Sequence, residues 1–248
     1  MRREEAHARL QALGFRRRDA LTLIEHFEDA DRRGKHGHGF SRLEWLESVE
    51  GLEYDPAARP VAEERSDGYE RWNGNRAIGY VALRDVVESQ VEAPPTPARL
   101  VVVRDCFPTG MLGHYVRRLC DAGLVGVLTA TSPARLAHPD GGPPITGTNP
   151  IAIGIPSSDG RPLVADVSMG RVTYGDVLTG AADPDELVPF GGEQAHKAFA
   201  LALGLQLLVD SLTGGEGHGA VLIVARPEAD PVPALRAAAG SVRLPGDR

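Results

Sequence analysis

The strongest constraint on this chain is a change in the period of its apolar residues. Between residues 3 and 29, Leu10, Leu13, Leu21, Leu23, Ile24 and Phe27 form a stripe at helical spacing, broken at Gly14-Phe15. Beyond residue 98 the apolar residues come instead in short β-branched runs, at 100–103, 125–129, 151–155, 163–166 and 220–225. Such runs suit strands buried in a sheet. Helices are expected between them at 113–122 and 196–212, the second stopped by Thr213-Gly214-Gly215. Shorter helices are expected at 41–49 and 77–89. Residues 54–75 are polar, with Pro56, Pro60 and Asn73-Gly74-Asn75, and read as loop and turns around a weak strand. The tail is rich in Pro and Ala. The pattern predicts a mixed fold, α/β (α+β). A helical part over 1–60 packs on a mixed-sheet domain over 61–248.

Composition excludes several functions. A net charge of −7 argues against nucleic acid as a partner, because phosphate binding needs a basic face. The basic run Arg16-Arg17-Arg18 lies on a helix that is otherwise acidic, and reads as a solvated face. No apolar stretch reaches the ~20 residues that span a bilayer, so no membrane partner is expected. The first residues lack the apolar core of a signal peptide. Cys106 and Cys120 have neither disulfide nor metal spacing and read as small buried hydrophobes. A cytoplasmic setting is expected. There is no Gly-x-Gly-x-x-Gly turn, phosphate-binding P-loop or Gly-x-Ser-x-Gly elbow.

The chemistry-bearing segment runs from Asp31 to Arg42. It sets His38 between Gly37 and Gly39, with Arg42 four residues on. Histidine transfers protons near neutral pH, and arginine holds a carboxylate with a planar fork. Flanking glycines allow close approach. The same residues also suit a glycine-rich surface turn with an exposed histidine.

Several further segments, in order, resemble one family: the malate/L-lactate dehydrogenases of the second, non-Rossmann type. It includes ureidoglycolate dehydrogenase and the piperideine-2-carboxylate/pyrroline-2-carboxylate reductases. The matching stretches are 30–34 with His38-Gly39 and Arg42-Leu43; Asn73-Gly74-Asn75 with Ile78-Gly79; 110–115; Gly141-Gly142 with 147–150; 189–192; and His196-Lys197 with Leu212-Thr213-Gly214. The resemblance implies a sheet domain that binds NADPH or NADH through loops, and a homodimer with its site near the subunit interface. By resemblance, His38 is the proton donor, oriented by Asp176. Arg42 binds the carboxylate of a small substrate, with Thr148 helping to place it. Gly110, Asn149, Asp166 and Ser168 line the cofactor, and His196 and Lys197 approach its phosphates. The implied activity is NAD(P)H-dependent reduction of a small 2-oxo acid or cyclic 2-imino acid.

The departures cluster on the cofactor side. The family's Ser-Asn-His-Phe-Gly run is replaced by 106–110, which puts Pro108 where a histidine is expected, and proline donates no hydrogen bond. His114, further along, is expected to point elsewhere. The family's Asp-Met-Ala-Thr-Ser run becomes 166–170 and loses two hydroxyls. Ala198 and Ala200 replace glycines of a Lys-Gly-Tyr-Gly run. The segment between Gly175 and Pro189 is shorter, and the chain stops at Arg248 where family members continue. Two alternatives therefore stand beside the reductase. One is a cofactor-free isomerisation, dehydration or cyclisation. The other is a non-catalytic partner protein.

Overall fold

A computed structural model describes residues 1–49 and 52–247. The N-terminal helices are α1 (Arg3–Ala12), α2 (Arg17–Arg32) and α3 (Ser41–Ser48). The break falls at Gly14, whose φ of +96° is left-handed. Leu10, Leu23, Ile24, Phe27 and Leu43 are buried in one cluster, as the stripe requires.

Among the described residues, seven strands form one sheet in the order β1-β2-β3-β7-β4-β5-β6. They are β1 (Val61–Arg65), β2 (Tyr69–Asn73), β3 (Ala98–Arg104), β4 (Val125–Ala130), β5 (Ile151–Ile155), β6 (Leu163–Val167) and β7 (Gly219–Ala225). Only β2 and β3 pair in parallel; the remaining neighbours are antiparallel. Helices α4 (Gly79–Glu92), α5 (Leu112–Asp121), α6 (Tyr174–Leu178), α7 (Ala195–Thr213) and α8 (Val232–Ala239) complete the architecture. Residues of α4 and the turn before it bridge the two cores. Ile78, Tyr80 and Val81 join the N-terminal cluster, while Leu83, Val86 and Val87 join the sheet cluster.

The structure corrects two expectations and adds one helix. Residues 61–73 hold a hairpin, not loop around one weak strand. Its first strand is an exposed edge, so it carries Glu63, Glu64 and Arg65 rather than an apolar run. The Ala-rich tail contains α8, entered through Pro231-Val232-Pro233. Finally, α7 with the turn before it, 22 residues over Gly192–Thr213, is long and apolar enough by length and composition to cross a membrane. Here Ala198, Phe199, Ala202 and Val209 of α7 are buried, and the helix packs along β7, β3 and β4. Leu201, Leu207 and Leu208 of α7 and Ile223 and Ile153 of the sheet remain exposed.

Candidate active site

His38 ends a 3₁₀ turn, His36–His38, between α2 and α3. The turn's glycines are dictated by contact rather than by backbone angle. A Cβ on Gly39 would strike the Asp31 carboxylate, and one on Gly37 would strike Gly175 and Asp176 of α6. Asp31 braces the turn from below, its Oδ2 accepting the Phe40 N–H at 3.2 Å. Arg42, in the first turn of α3, is only 9% exposed; its Nε donates to the Gly37 carbonyl at 2.7 Å. Its guanidinium stands 5.2 Å from the Trp45 ring centre.

His38 and Arg42 line a cleft of about 710 Å³ between the N-terminal helices and the sheet domain. Tyr80, Gly110, Thr148, Asp166, Ser168 and Asp176 line it too. Arg135 and Arg171 line both this cleft and an adjoining groove of about 380 Å³, which ends at Gly191, Gly192 and Ala195, the start of α7. Arg135 and Arg171 thus form a wall common to the two spaces.

The electrostatics favour neutral His38. Burial pushes its pKa down to about 4; Arg42 and Lys35 push the same way, and Asp166 and Asp176 oppose them. The ring is half-buried, with one edge toward the cleft, while its Nδ1 is buried without a hydrogen-bond partner. The expected His38–Asp176 hydrogen bond is thus not made. Asp176 instead closes the capping box of α6, its Oδ2 accepting from Thr173 N at 2.8 Å and Thr173 Oγ1 at 2.7 Å.

Other expected residues divide. Thr148, Ser168 and Gly110 line the cleft, and Gly110 has φ +69° with no room for a Cβ against Tyr80 and His26. Asp166 is there as well, but its carboxylate is committed to Lys35 Nζ at 2.8 Å and to the Gly113 N–H at the start of α5, at 3.1 Å. Asn149 does not face the cleft. It is fully buried, donates to Thr146 Oγ1, Ala202 O and Gln206 Oε1, and accepts from Ser132 N. Those bonds pin α7 to the loops around β4 and β5. His196 and Lys197 lie exposed on the first turn of α7, next to Ala195 of the outer groove, and line neither space. His114 points elsewhere, as expected: its Nδ1 is 3.0 Å from Asp29 Oδ2.

Two cleft residues went unread in the sequence. Tyr80 is 1% exposed, lines the cleft near Arg42, and its hydroxyl has no hydrogen-bond partner. Burial pushes its pKa up to about 12, so it stays a neutral donor. Nothing in its spacing separated it from the core residues of α4. His218 precedes β7, and its ring lies 4.9 Å from that of Phe107, next to Pro108. Its Nδ1 is likewise buried and unpartnered. The only sequence signal was a histidine between Gly217 and Gly219 at the head of an apolar strand. Burial pushes the thiols of both cysteines up, consistent with inert core residues.

This mixed-sheet fold without a Rossmann turn, with a histidine–arginine pair facing a cleft, is shared with a dehydrogenase of known structure. The chain belongs to the malate/L-lactate dehydrogenase family, whose profile matches residues 2–183. Over 234 residues it is 29% identical to the malate/(S)-sulfolactate dehydrogenase of Methanothermus fervidus, covering 84% of this chain and 68% of that protein. It is 27% identical to the Delta(1)-pyrroline-2-carboxylate/Delta(1)-piperideine-2-carboxylate reductase of Pseudomonas syringae pv. tomato, covering 79% of this chain and 64% of the reductase. The chain thus spans about two thirds of these relatives. A dehydrogenase from Sinorhizobium meliloti superposes with a TM-score of 0.82 at 27% identity, covering 99% of this chain and 88% of that structure.

Proposed function

We propose that this chain is an NAD(P)H-dependent reductase of a small 2-oxo acid or cyclic 2-imino acid. The observation that carries the reading is the pairing of His38 and Arg42 on one turn–helix unit, facing one cleft. We assign the cleft and the groove beside it to a dinucleotide. The cleft holds the unpartnered imidazole nitrogens of His38 and His218, and the groove runs to the start of α7. A 19-residue helix presents free N–H groups and a positive dipole end there, where phosphate oxygens bind well. Arg135, Arg171 and Lys197 would hold the phosphates, and Thr148 and Ser168 would border the inner half. A reduced nicotinamide, when bound, supplies the hydride to C2 of the substrate.

The chain's own groups do the rest. Arg42 offers its terminal nitrogens to the substrate carboxylate, since its Nε is spent on Gly37. The Tyr80 hydroxyl is a second donor in the same wall. His38, neutral in the free protein, accepts the hydroxyl or amine proton when the reaction runs toward oxidation. In reduction it must first gain a proton. A bound carboxylate assists by neutralising Arg42, one of the charges that hold its pKa down. We also propose a homodimer, because the exposed Leu201, Leu207 and Leu208 flank an uncovered part of the central sheet around Ile223 and Ile153.

A second reading, cofactor-free proton transfer to a keto or imino acid, is favoured by Pro108 and by the commitment of Asp166 to Lys35. Fluorescence titration with NADPH and NADH separates the two. Saturable binding, followed by turnover in a screen of 2-oxo and cyclic imino acids, supports the reductase. No binding of either nucleotide at millimolar concentration overturns it.

A further inference from the structure

A second cleft, of about 890 Å³, lies between α2, α4 and α5 and shares no lining residue with the cleft of His38. Seven arginines and four carboxylates line it, so it concentrates positive charge on a chain whose net charge is −7. Most of the acids are already engaged. Asp29 takes His114 at 3.0 Å and Arg33 at 2.9 Å, Glu88 takes Arg118 at 2.8 Å, and Glu25 takes Arg3 at 3.4 Å. Arg117 has no carboxylate partner among the described residues. Partly buried, its guanidinium donates only to the Gly113 carbonyl, at 3.1 Å. Burial lowers its pKa and Arg33 adds to that effect, while the carboxylates of Asp29 and Asp166, not in contact with it, oppose it. Arg17, Arg18 and Arg32 stand exposed at the rim.

A guanidinium carries five N–H donors in a fixed fork, and sheltering one from water without an anion is costly. Two partly buried guanidiniums lining one cleft, with more at its mouth, match several oxygens on one compact ligand. We infer that this cleft is an anion site, distinct from the proposed cofactor groove, for a ligand bearing a di- or triphosphate group. Arg33 and Arg117 grip the innermost phosphate, and the rim arginines meet the outer ones.

The test is calorimetric titration of the full chain with inorganic tripolyphosphate at constant ionic strength. Saturable binding of one anion per chain is expected. Arg117→Gln should weaken it at least about tenfold, the loss of one charged hydrogen-bonding partner. Lys197→Gln, on the first turn of α7 beside the outer groove, and Arg42→Gln, in the His38 cleft, should leave it unchanged. The rim variant Arg17→Gln should weaken binding by a smaller factor, and it decides the matter if Arg117→Gln does not fold. Absence of saturable binding overturns the proposal. So does binding that survives Arg117→Gln and Arg17→Gln, or that is lost in Lys197→Gln or Arg42→Gln, since the anion then sits in the groove already described.

Discussion

Lys35 Nζ meets Asp166 Oδ2 at 2.8 Å, tying the turn that carries His38 to the end of β6. The pair straddles the cleft wall, and its two charges act on His38 in opposite senses. Asp166→Asn removes a charge that raises the His38 pKa and leaves Lys35, which lowers it. The acid limb of kcat/KM for hydroxy-acid oxidation should therefore move to lower pH. A limb that moves upward would sink the assignment of that limb to His38.

In the unaltered protein the same limb should already lie low. With its pKa held near 4, His38 remains an unprotonated base well below the ordinary histidine value of 6.5. Oxidation should hold steady from pH 8 down to pH 6 and fall only at lower pH. His38→Ala should lower kcat by roughly 10²–10⁴-fold with little change in KM. Turnover that persists in His38→Ala removes the proton-transfer role.

Arg42→Ala and Tyr80→Phe should separate grip from chemistry. The first should chiefly raise KM, by roughly tenfold to a hundredfold, as loss of a charged hydrogen bond does. The second should raise KM severalfold without destabilising the fold, because the lost hydroxyl has no partner in the free protein. Steady-state kinetics with a thermal melt of each variant checks both. Tyr80→Phe with unchanged KM would show that the hydroxyl does not touch substrate.

His26 should make the fold sensitive to mild acid. Its Nε2 accepts the Met111 N–H at 2.8 Å, which requires a neutral ring, and burial sets its pKa well below 6.5. Below 6.5 the unfolded chain takes up protons that the folded chain refuses, so stability must fall as pH drops toward the folded value. His38 adds to the same slope. Asp29, lowered to about 2, contributes stability that is lost only as pH falls from its ordinary 3.8 through that value. Urea unfolding between pH 7.5 and 5 should show the histidine slope, and His26→Gln should flatten it.

Asn149 should matter to stability rather than to cofactor affinity. Asn149→Ala breaks four hydrogen bonds, two of them fully buried, and puts alanine at φ +23°. A loss of about 2–3 kcal/mol is expected, measured by denaturant unfolding. A stable variant with weakened nucleotide binding would restore a cofactor role.

The elements with a clear period were legible. The stripe from Leu10 to Phe27 and the β-branched runs at β3, β4, β5 and β7 lie where the pattern puts them, because burial on one side imposes that pattern. The hairpin at 61–73 was hidden because its first strand is exposed and buries almost nothing. In the site, His38 and Arg42 could be read, since unusual residues crowd into a short span. Tyr80 and His218 could not, because chain folding alone brings them into the cleft. Asn149 and Asp166 looked like ligand contacts because Asn and Asp suit both ligands and turns. Only the hydrogen bonds reveal that one is wholly spent inside the protein and the other is held by Lys35.

The Arg42–Gly37 hydrogen bond has a consequence for motion. It joins the anchoring group to the backbone next to the proton-transfer group, so the two travel as one piece. Any breathing of the N-terminal helices against the sheet changes how easily a substrate enters. It leaves unchanged the spacing between the place where its carboxylate is held and the place where its proton is exchanged.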